Sequence, residues 1–189
     1  MHALRSPFDL TGFVATRTTP RRRPSLLQPV VREMAARALA ERLGGSADEV
    51  QALAAALAAV TRHRRTGAEI AEALAPRTGR APDAETVAVL DDFTYEMLLA
   101  HDRLVAAWVA HHGIAPALAL GDAIRVETND RLWNRVVVEG EIVGIDRAHA
   151  RYHVFSGALG HERSGPGPRS RAIPFEDVRP AAEEILQAA

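Results

Sequence analysis

The sequence contains no cysteine and no lysine, so its 23 Lys/Arg positions are all arginine. Without cysteine the chain has no disulfide, no thiolate metal ligand and no cysteine nucleophile. Without lysine it has neither a Schiff-base amine nor the phosphate-binding lysine of P-loop nucleotide hydrolases. These absences exclude several enzyme classes. The abundance of alanine and arginine is typical of a GC-rich, bacterial genome.

Long apolar runs are also missing. No segment is long enough to cross a membrane, and the start has no continuous apolar stretch of the kind found in secretory signals. The formal net charge is −1, which gives no global attraction to nucleic acid or to an anionic membrane. Charge is uneven, however, because residues 1–32 carry six arginines and one acidic residue. We expect a cytoplasmic protein that does not act at a membrane.

Catalytic and metal-binding motifs are absent from the sequence. It has no G-x-S-x-G elbow, no H-E-x-x-H pair and no EF-hand loop. His149 and His153 would lie about 13 Å apart on one strand, too far to share a metal ion. We therefore expect no catalytic residue, no metal and no cofactor. A hydrolase or metal enzyme with its site at a domain junction is a weaker hypothesis.

Residues 1–24 are predicted to form an irregular, arginine-rich arm, and residues 25–113 a domain of four helices. Helix limits are marked by Ser, Thr or Asp caps at the start and by glycine or proline at the end. The four predicted helices are Leu26–Leu43, Glu49–His63, Gly67–Leu74 and Ala84–His112.

The fourth predicted helix has a seam with a seven-residue repeat. One set of positions is Leu90, Met97, Leu104 and His111, and the interleaved set is Phe93, Ala100, Ala107 and Ile114. Such a seam packs along another helix. It is short, so an intramolecular bundle is favoured, with a homo-oligomer formed through residues 90–114 as the alternative.

Apolar residues at Ile70, Ala71, Leu74, Val87 and Leu90 are spaced as in two packed helices. On this pattern residues 66–93 resemble a helix-turn-helix of the winged-helix type, which implies a DNA- or RNA-binding protein as the alternative function. The connection between the two helices is long, and the first turn of the second helix is acidic. A plain helical hairpin is therefore the favoured interpretation.

The nucleic-acid alternative depends on arginines that would contact phosphates. They lie in the arm, in the cluster after the second helix and around the third helix. The candidates are Arg17, Arg21, Arg22, Arg23, Arg62, Arg64, Arg65, Arg77 and Arg80. The competing interpretation is that these side chains are solvated, or that they complement the dipole at a helix C-terminus.

Residues 118–180 show the alternation of apolar and polar residues that is typical of strands. The predicted runs are Ile124–Val126, Arg135–Ile145, Tyr152–Phe155 and Ala172–Val178. Gly140 and Gly144 inside the second run predict bulges or a sharp bend. We expect a small closed barrel, followed by a short tail or helix over residues 181–189.

Several residues of this region match a family pattern. They are Gly121-Asp122, Trp133, Val136, Val138, the run from Tyr152 to Phe155 and the run from Ile173 to Pro180. With these, roughly a third of the chain resembles the SH3-like small barrels of the Tudor and Agenet type. Together with the four predicted helices, the resemblance implies an α+β chain with an N-terminal four-helix domain and a C-terminal SH3-like small β-barrel. It also implies peptide binding, in which an aromatic cage holds a methylated lysine or arginine.

Four aromatic residues are the candidates for such a cage: Trp133, Tyr152, Phe155 and Phe175. Alternation puts Tyr152 and Phe155 on opposite faces of a strand, so we favour the interpretation that some of the four fill the core.

The long loop from Ser156 to Arg171 is rich in glycine and proline. It adds Arg163, Arg169 and Arg171 as partner-binding candidates, since long loops in compact domains often carry function. We therefore expect a non-catalytic protein-interaction or assembly module that binds a protein partner through the barrel and this loop.

Overall fold

A computed structural model describes residues 22–61, 66–79, 81, 83–129, 135–157 and 170–181. Five helices precede a five-stranded antiparallel sheet. This confirms the mixed α+β class and the order of helices before strands. The strands form an open sequence with two edges, so the closed barrel that we expected is not shown. Residues 1–21 of the predicted arm and residues 182–189 of the predicted tail lie outside the described part.

The helices begin and end at short local signals. Their bounds are α1 Pro29–Leu43, α2 Ala47–Val60, α3 Gly67–Thr78, α4 Ala84–Asp91 and α5 Phe93–His112. Capping boxes open α2 and α3, where Ser46 and Thr66 each exchange hydrogen bonds with a glutamate three residues later. Pro29 occupies the first turn of α1, and Gly113 ends α5 in the left-handed conformation.

The predicted fourth helix is wrong in one respect, because Asp92 divides it into α4 and α5. The side chains at the break bind other elements. Asp92 accepts a hydrogen bond from Arg42 at 2.8 Å, and Asp91 accepts one from the backbone N–H of Gly67 at 2.6 Å. α3 also continues past Leu74 to Thr78. Pro76 is exposed in its last turns, and the helix ends only at Gly79.

The helical core is built around α1 and α5. It shows which residues of the predicted seven-residue seam are buried. Leu90, Phe93, Met97 and Ala100 are buried there, as an intramolecular bundle requires. Beyond Ala100 the buried side of α5 changes. Val105 and Val109 pack in a separate cluster with Ala150 of the sheet region, and His111 is exposed. α5 therefore contributes buried residues both to the helical core and to the cluster with Ala150.

The five strands pair in the order β4-β3-β2-β1-β5. Their bounds are β1 Ala123–Asn129, β2 Arg135–Asp146, β3 Arg151–Phe155, β4 Arg171–Pro174 and β5 Val178–Pro180. The predicted run Ala172–Val178 is thus two strands, separated by a 3₁₀ turn over Phe175–Asp177. That turn carries the chain from one edge of the sheet to the other, where β5 pairs with β1.

The apolar residues of the alternating pattern are buried on the inner face of the sheet. They are Ile124, Val126, Val138, Ile142, Tyr152, Val154, Ile173 and Val178. The expected irregularity in β2 is present, since the register with β3 shifts between Ile142 and Gly144. Gly140 does not lie at this shift. It lets the backbone of β2 pack closely against Phe155 of β3, because a Cβ there would lie 2.7 Å from the carbonyl oxygen of Phe155.

Candidate functional site

The three candidate cage aromatics that the structure describes do not converge on one open surface. Tyr152 is 1% exposed, and its hydroxyl accepts a hydrogen bond from the Leu118 N–H at 3.0 Å. Phe175 is half-buried, with its ring centroid 4.3 Å from that of Tyr152. Tyr152 therefore fills the core. This agrees with the interpretation, drawn from the alternation of apolar and polar residues, that some of the four aromatics are core residues. Trp133 lies outside the described residues.

Phe155 differs from the other two described sheet aromatics. It is 44% exposed at the end of β3, on the face of the sheet away from the core. It stands opposite Glu141 in the β2–β3 register, next to the shift that leaves Val143 38% exposed. Charged pairs occupy other parts of this face, among them Arg125 with Glu139 at 3.3 Å. The result is an exposed aromatic ring on a face that also carries charged side chains and the exposed Val137.

The long loop leaves and rejoins the sheet beside Phe155. Ser156 is 7% exposed, and its hydroxyl donates to the carbonyl oxygen of Glu139 at 2.6 Å. At the other end Arg171 is exposed, and its guanidinium donates to the Thr128 hydroxyl at 3.4 Å. Both ends are therefore fixed to the sheet. Arg163 and Arg169 lie outside the described part of the chain.

The arginines of the nucleic-acid alternative are only partly described. Arg17, Arg21, Arg62, Arg64, Arg65 and Arg80 fall outside the described ranges. Arg22 is exposed, and Arg77 is exposed in the last turn of α3. In the segment that resembles a helix-turn-helix, the start of α3 lies against the end of α4, where the Gly67 N–H meets Asp91.

Arg23, another candidate of the nucleic-acid alternative, is engaged by internal contacts. Its side chain is 12% exposed, and its Nε donates to Glu176 Oε1 at 2.6 Å. Nη1 donates to the carbonyl oxygen of His149 at 2.9 Å, and Nη2 donates to that of Ala150 at 2.6 Å. The guanidinium carbon lies 5.6 Å from the centroid of the Trp108 ring. No sequence signal distinguished Arg23 from its two arginine neighbours.

Further polar contacts join the helices to the sheet around Arg23. Arg151 of β3 donates to Asp102 of α5 at 2.7 Å. His101 Nε2 lies 3.0 Å from the carbonyl oxygen of Pro24. The Trp108 indole nitrogen is buried and has no hydrogen-bond partner among the described residues. The segment before α1 is thus attached where α5 meets the sheet.

The turn between β2 and β3 is held by an aspartate–histidine pair. Asp146 accepts hydrogen bonds from the His149 backbone N–H at 3.1 Å and from its Nδ1 at 2.8 Å. Partial burial by itself raises the pKa of Asp146, but these hydrogen bonds and the electrostatic interactions with His149 and Arg151 together outweigh it, so the pKa lies below its ordinary value. Ala150 follows with a φ of +49°, a left-handed conformation.

Within the described residues no group of three His, Asp or Glu side chains is arranged to hold a metal ion. A shallow depression in the helical part is lined by residues that include Leu43, Leu53, Leu74 and Thr86. No titratable side chain of the described residues lines it, so these residues offer nothing for acid–base chemistry there. None of the described helices is both long and apolar enough to cross a membrane.

Neither the protein-family models, nor the curated proteins, nor the solved structures contain a match to this chain.

Proposed function

We propose that this chain is a non-catalytic protein-interaction module that binds a partner through Phe155 and the loop that follows it. The observation that carries the proposal is the exposure of Phe155, 44%, on a sheet that turns Tyr152 inward. Phenylalanine, the other aromatic residues and arginine are enriched at protein–protein interfaces relative to the rest of the protein surface. Phe155 and Arg171 are of these types, and they lie at the two ends of the same loop.

We also infer an SH3-like arrangement of the sheet. The order β4-β3-β2-β1-β5 supports it, together with the 3₁₀ turn that leads from β4 to the opposite edge. The contact of Arg171 in β4 with Thr128 in β1, at 3.4 Å, supports a strongly curled sheet. The burial of Tyr152 argues against a cage of the Tudor type, so recognition on this scaffold depends on the outer face.

The test uses two exposed outer-face positions of the full chain, Phe155 and Val137, the latter 60% exposed. A photo-crosslinking amino acid is placed at each position in separate chains, and adducts are identified in the cell. We expect a discrete protein to be captured from position 155 and not from position 137. Phe155→Ser should then weaken binding of the purified partner at least tenfold, and Val137→Ser should not. Equal capture from both positions, or unchanged affinity of Phe155→Ser, would contradict the proposal.

The alternative proposal is binding of DNA or RNA. It is supported by the exposure of Arg22 and Arg77, neither of which forms an ion pair with another described residue. The test is titration of labelled duplex and single-stranded DNA across a salt series. Binding that weakens steeply with salt would support this function, because it reports neutralised phosphates. Absence of binding at low salt would remove it.

A further inference from the structure

The Arg23 side chain enters a pocket built by three separate parts of the chain. These are Trp108 of α5, the carbonyl groups of His149 and Ala150 in the β2–β3 turn, and Glu176 of the 3₁₀ turn. We call these four residues the arginine pocket. Each guanidinium nitrogen of Arg23 donates at least one hydrogen bond into it.

The pocket matches the shape of a guanidinium group as well as its charge. The Glu176 carboxylate accepts from Nε at 2.6 Å and from Nη2 at 3.2 Å, which is the paired geometry of an arginine–carboxylate fork. The two carbonyl oxygens take the other N–H directions, and the Trp108 ring covers one face. An ammonium group is a compact charge and cannot fill acceptors that are spread around a planar fork.

Contacts other than those of Arg23 hold the pocket in place. The turn is fixed by the Asp146–His149 pair, and the Ala150 carbonyl oxygen also accepts from the Phe175 N–H at 3.0 Å. Trp108 packs in the apolar cluster of Val105, Val109 and Ala150. The acceptors therefore stay oriented whichever guanidinium occupies the pocket.

Among the described residues, the segment that delivers Arg23 packs on the helical core through Leu26 and reaches the junction with the sheet through few polar contacts. Among the described residues before α1, the links to the junction are the Arg23 side chain and the Pro24 carbonyl oxygen, which faces His101. The Glu176 side chain is 46% exposed, so the pocket is open to solvent on that side. A second guanidinium can approach there and replace the first with like contacts.

We propose that the arginine pocket is a binding site for an arginine-bearing peptide segment of a partner protein, and that the chain's own Arg23 occupies it in competition with that partner. The site is separate from the surface around Phe155 and does not depend on it. A tethered competitor acts at an effective concentration of about a millimolar or more, so an arginine peptide binds the intact chain far more weakly than a chain without Arg23.

The experiment compares full-length wild type with Arg23→Ala, using the dipeptides Ac-Arg-Pro-NH2 and Ac-Lys-Pro-NH2 as probes. Binding is followed by the indole N–H resonance of Trp108 in protein labelled with ¹⁵N-tryptophan, assigned with Trp108→Phe. We expect Ac-Arg-Pro-NH2 to shift the resonance saturably in Arg23→Ala. Wild type should bind Ac-Arg-Pro-NH2 at least tenfold more weakly than Arg23→Ala does. Both chains should bind Ac-Lys-Pro-NH2 at least tenfold more weakly than Arg23→Ala binds the arginine probe.

Two further variants keep the test decisive. Adding Glu176→Gln to Arg23→Ala should weaken the arginine probe at least tenfold, because it removes the charged half of the fork. Arg23→Lys retains a cation and the aliphatic stem, and it replaces Arg23→Ala if that chain does not fold. No shift in a folded variant, equal binding of both dipeptides, or an unchanged affinity after Glu176→Gln would each overturn the proposal.

Discussion

Replacing Gly67 with alanine should destabilise the protein, although alanine is the better helix former. A Cβ at this position would lie 2.2 Å from the Val87 carbonyl oxygen and 2.7 Å from the Asp91 backbone nitrogen. Both are backbone atoms of α4, so no side-chain rotation relieves the overlap. α3 and α4 would have to separate, and the 2.6 Å hydrogen bond from the Gly67 N–H to Asp91 would lengthen or break.

The size of the effect follows from three contributions. Overpacking a tight contact costs about 1–3 kcal/mol. Loss of a hydrogen bond to a charged group costs about 1.5–3 kcal/mol when it is complete. Helix propensity offsets at most about 1 kcal/mol, and less at the first helical position. We expect a net loss of about 2–4 kcal/mol, which lowers the melting temperature of a chain of this size by roughly 5–15 °C.

Thermal and urea unfolding, followed by circular dichroism, measure this loss. Gly157→Ala is the matched control, because nothing lies within 4 Å of a Cβ there and its φ is not in the left-handed range. The control should stay within about 0.5 kcal/mol of wild type. A Gly67→Ala chain that melts at or above the wild-type temperature would refute the close approach of α3 and α4.

Three further predictions concern the sheet and its junction with α5. Tyr152→Phe leaves the Leu118 N–H without its acceptor, so the free energy of unfolding in urea should fall by about 1 kcal/mol, and an unchanged value would contradict the 3.0 Å contact. In a double-mutant cycle, Asp102→Asn and Arg151→Gln should show a coupling of about 0.2–1 kcal/mol that shrinks in high salt, because both side chains are partly exposed; additive effects would show that the pair does not join α5 to β3. The lowered pKa of Asp146 means that its carboxylate stabilises the fold above the unfolded pKa of about 3.9, and that this contribution is lost as pH falls through the lower folded pKa. The melting-temperature difference between wild type and Asp146→Asn should therefore be largest near neutral pH and disappear in strong acid, and a difference that persists there would contradict the assignment.

Much of the secondary structure could be predicted because its signals are local. Ser46 and Thr66 open their helices through hydrogen bonds to residues three positions away. Alternation separates Tyr152 from Phe155 within one strand, and the structure has the first buried and the second exposed. Such patterns depend only on the periods of helix and strand, so the sequence contains them completely.

The wrong secondary-structure predictions lie where contacts with residues distant in the sequence determine the structure. The long helix expected from Ala84 to His112 is interrupted at Asp92, whose side chain is paired with Arg42 some fifty positions earlier. The run Ala172–Val178, expected to be one strand, divides because its two halves pair with opposite edges of the sheet. Local periodicity indicates neither the pairing of Asp92 with Arg42 nor the strands with which the two halves of this run pair.

The sequence by itself determined the class of fold, the order of helices before strands and most caps, because neighbouring residues carry these features. The tertiary structure alone decided the difference between two adjacent arginines. Arg22 is exposed, while Arg23 forms hydrogen bonds to groups 126 to 153 positions away and lies over the Trp108 ring. Composition makes the two side chains equivalent. They become different because folding brings two carbonyl oxygens, a carboxylate and an indole ring together around only one of them.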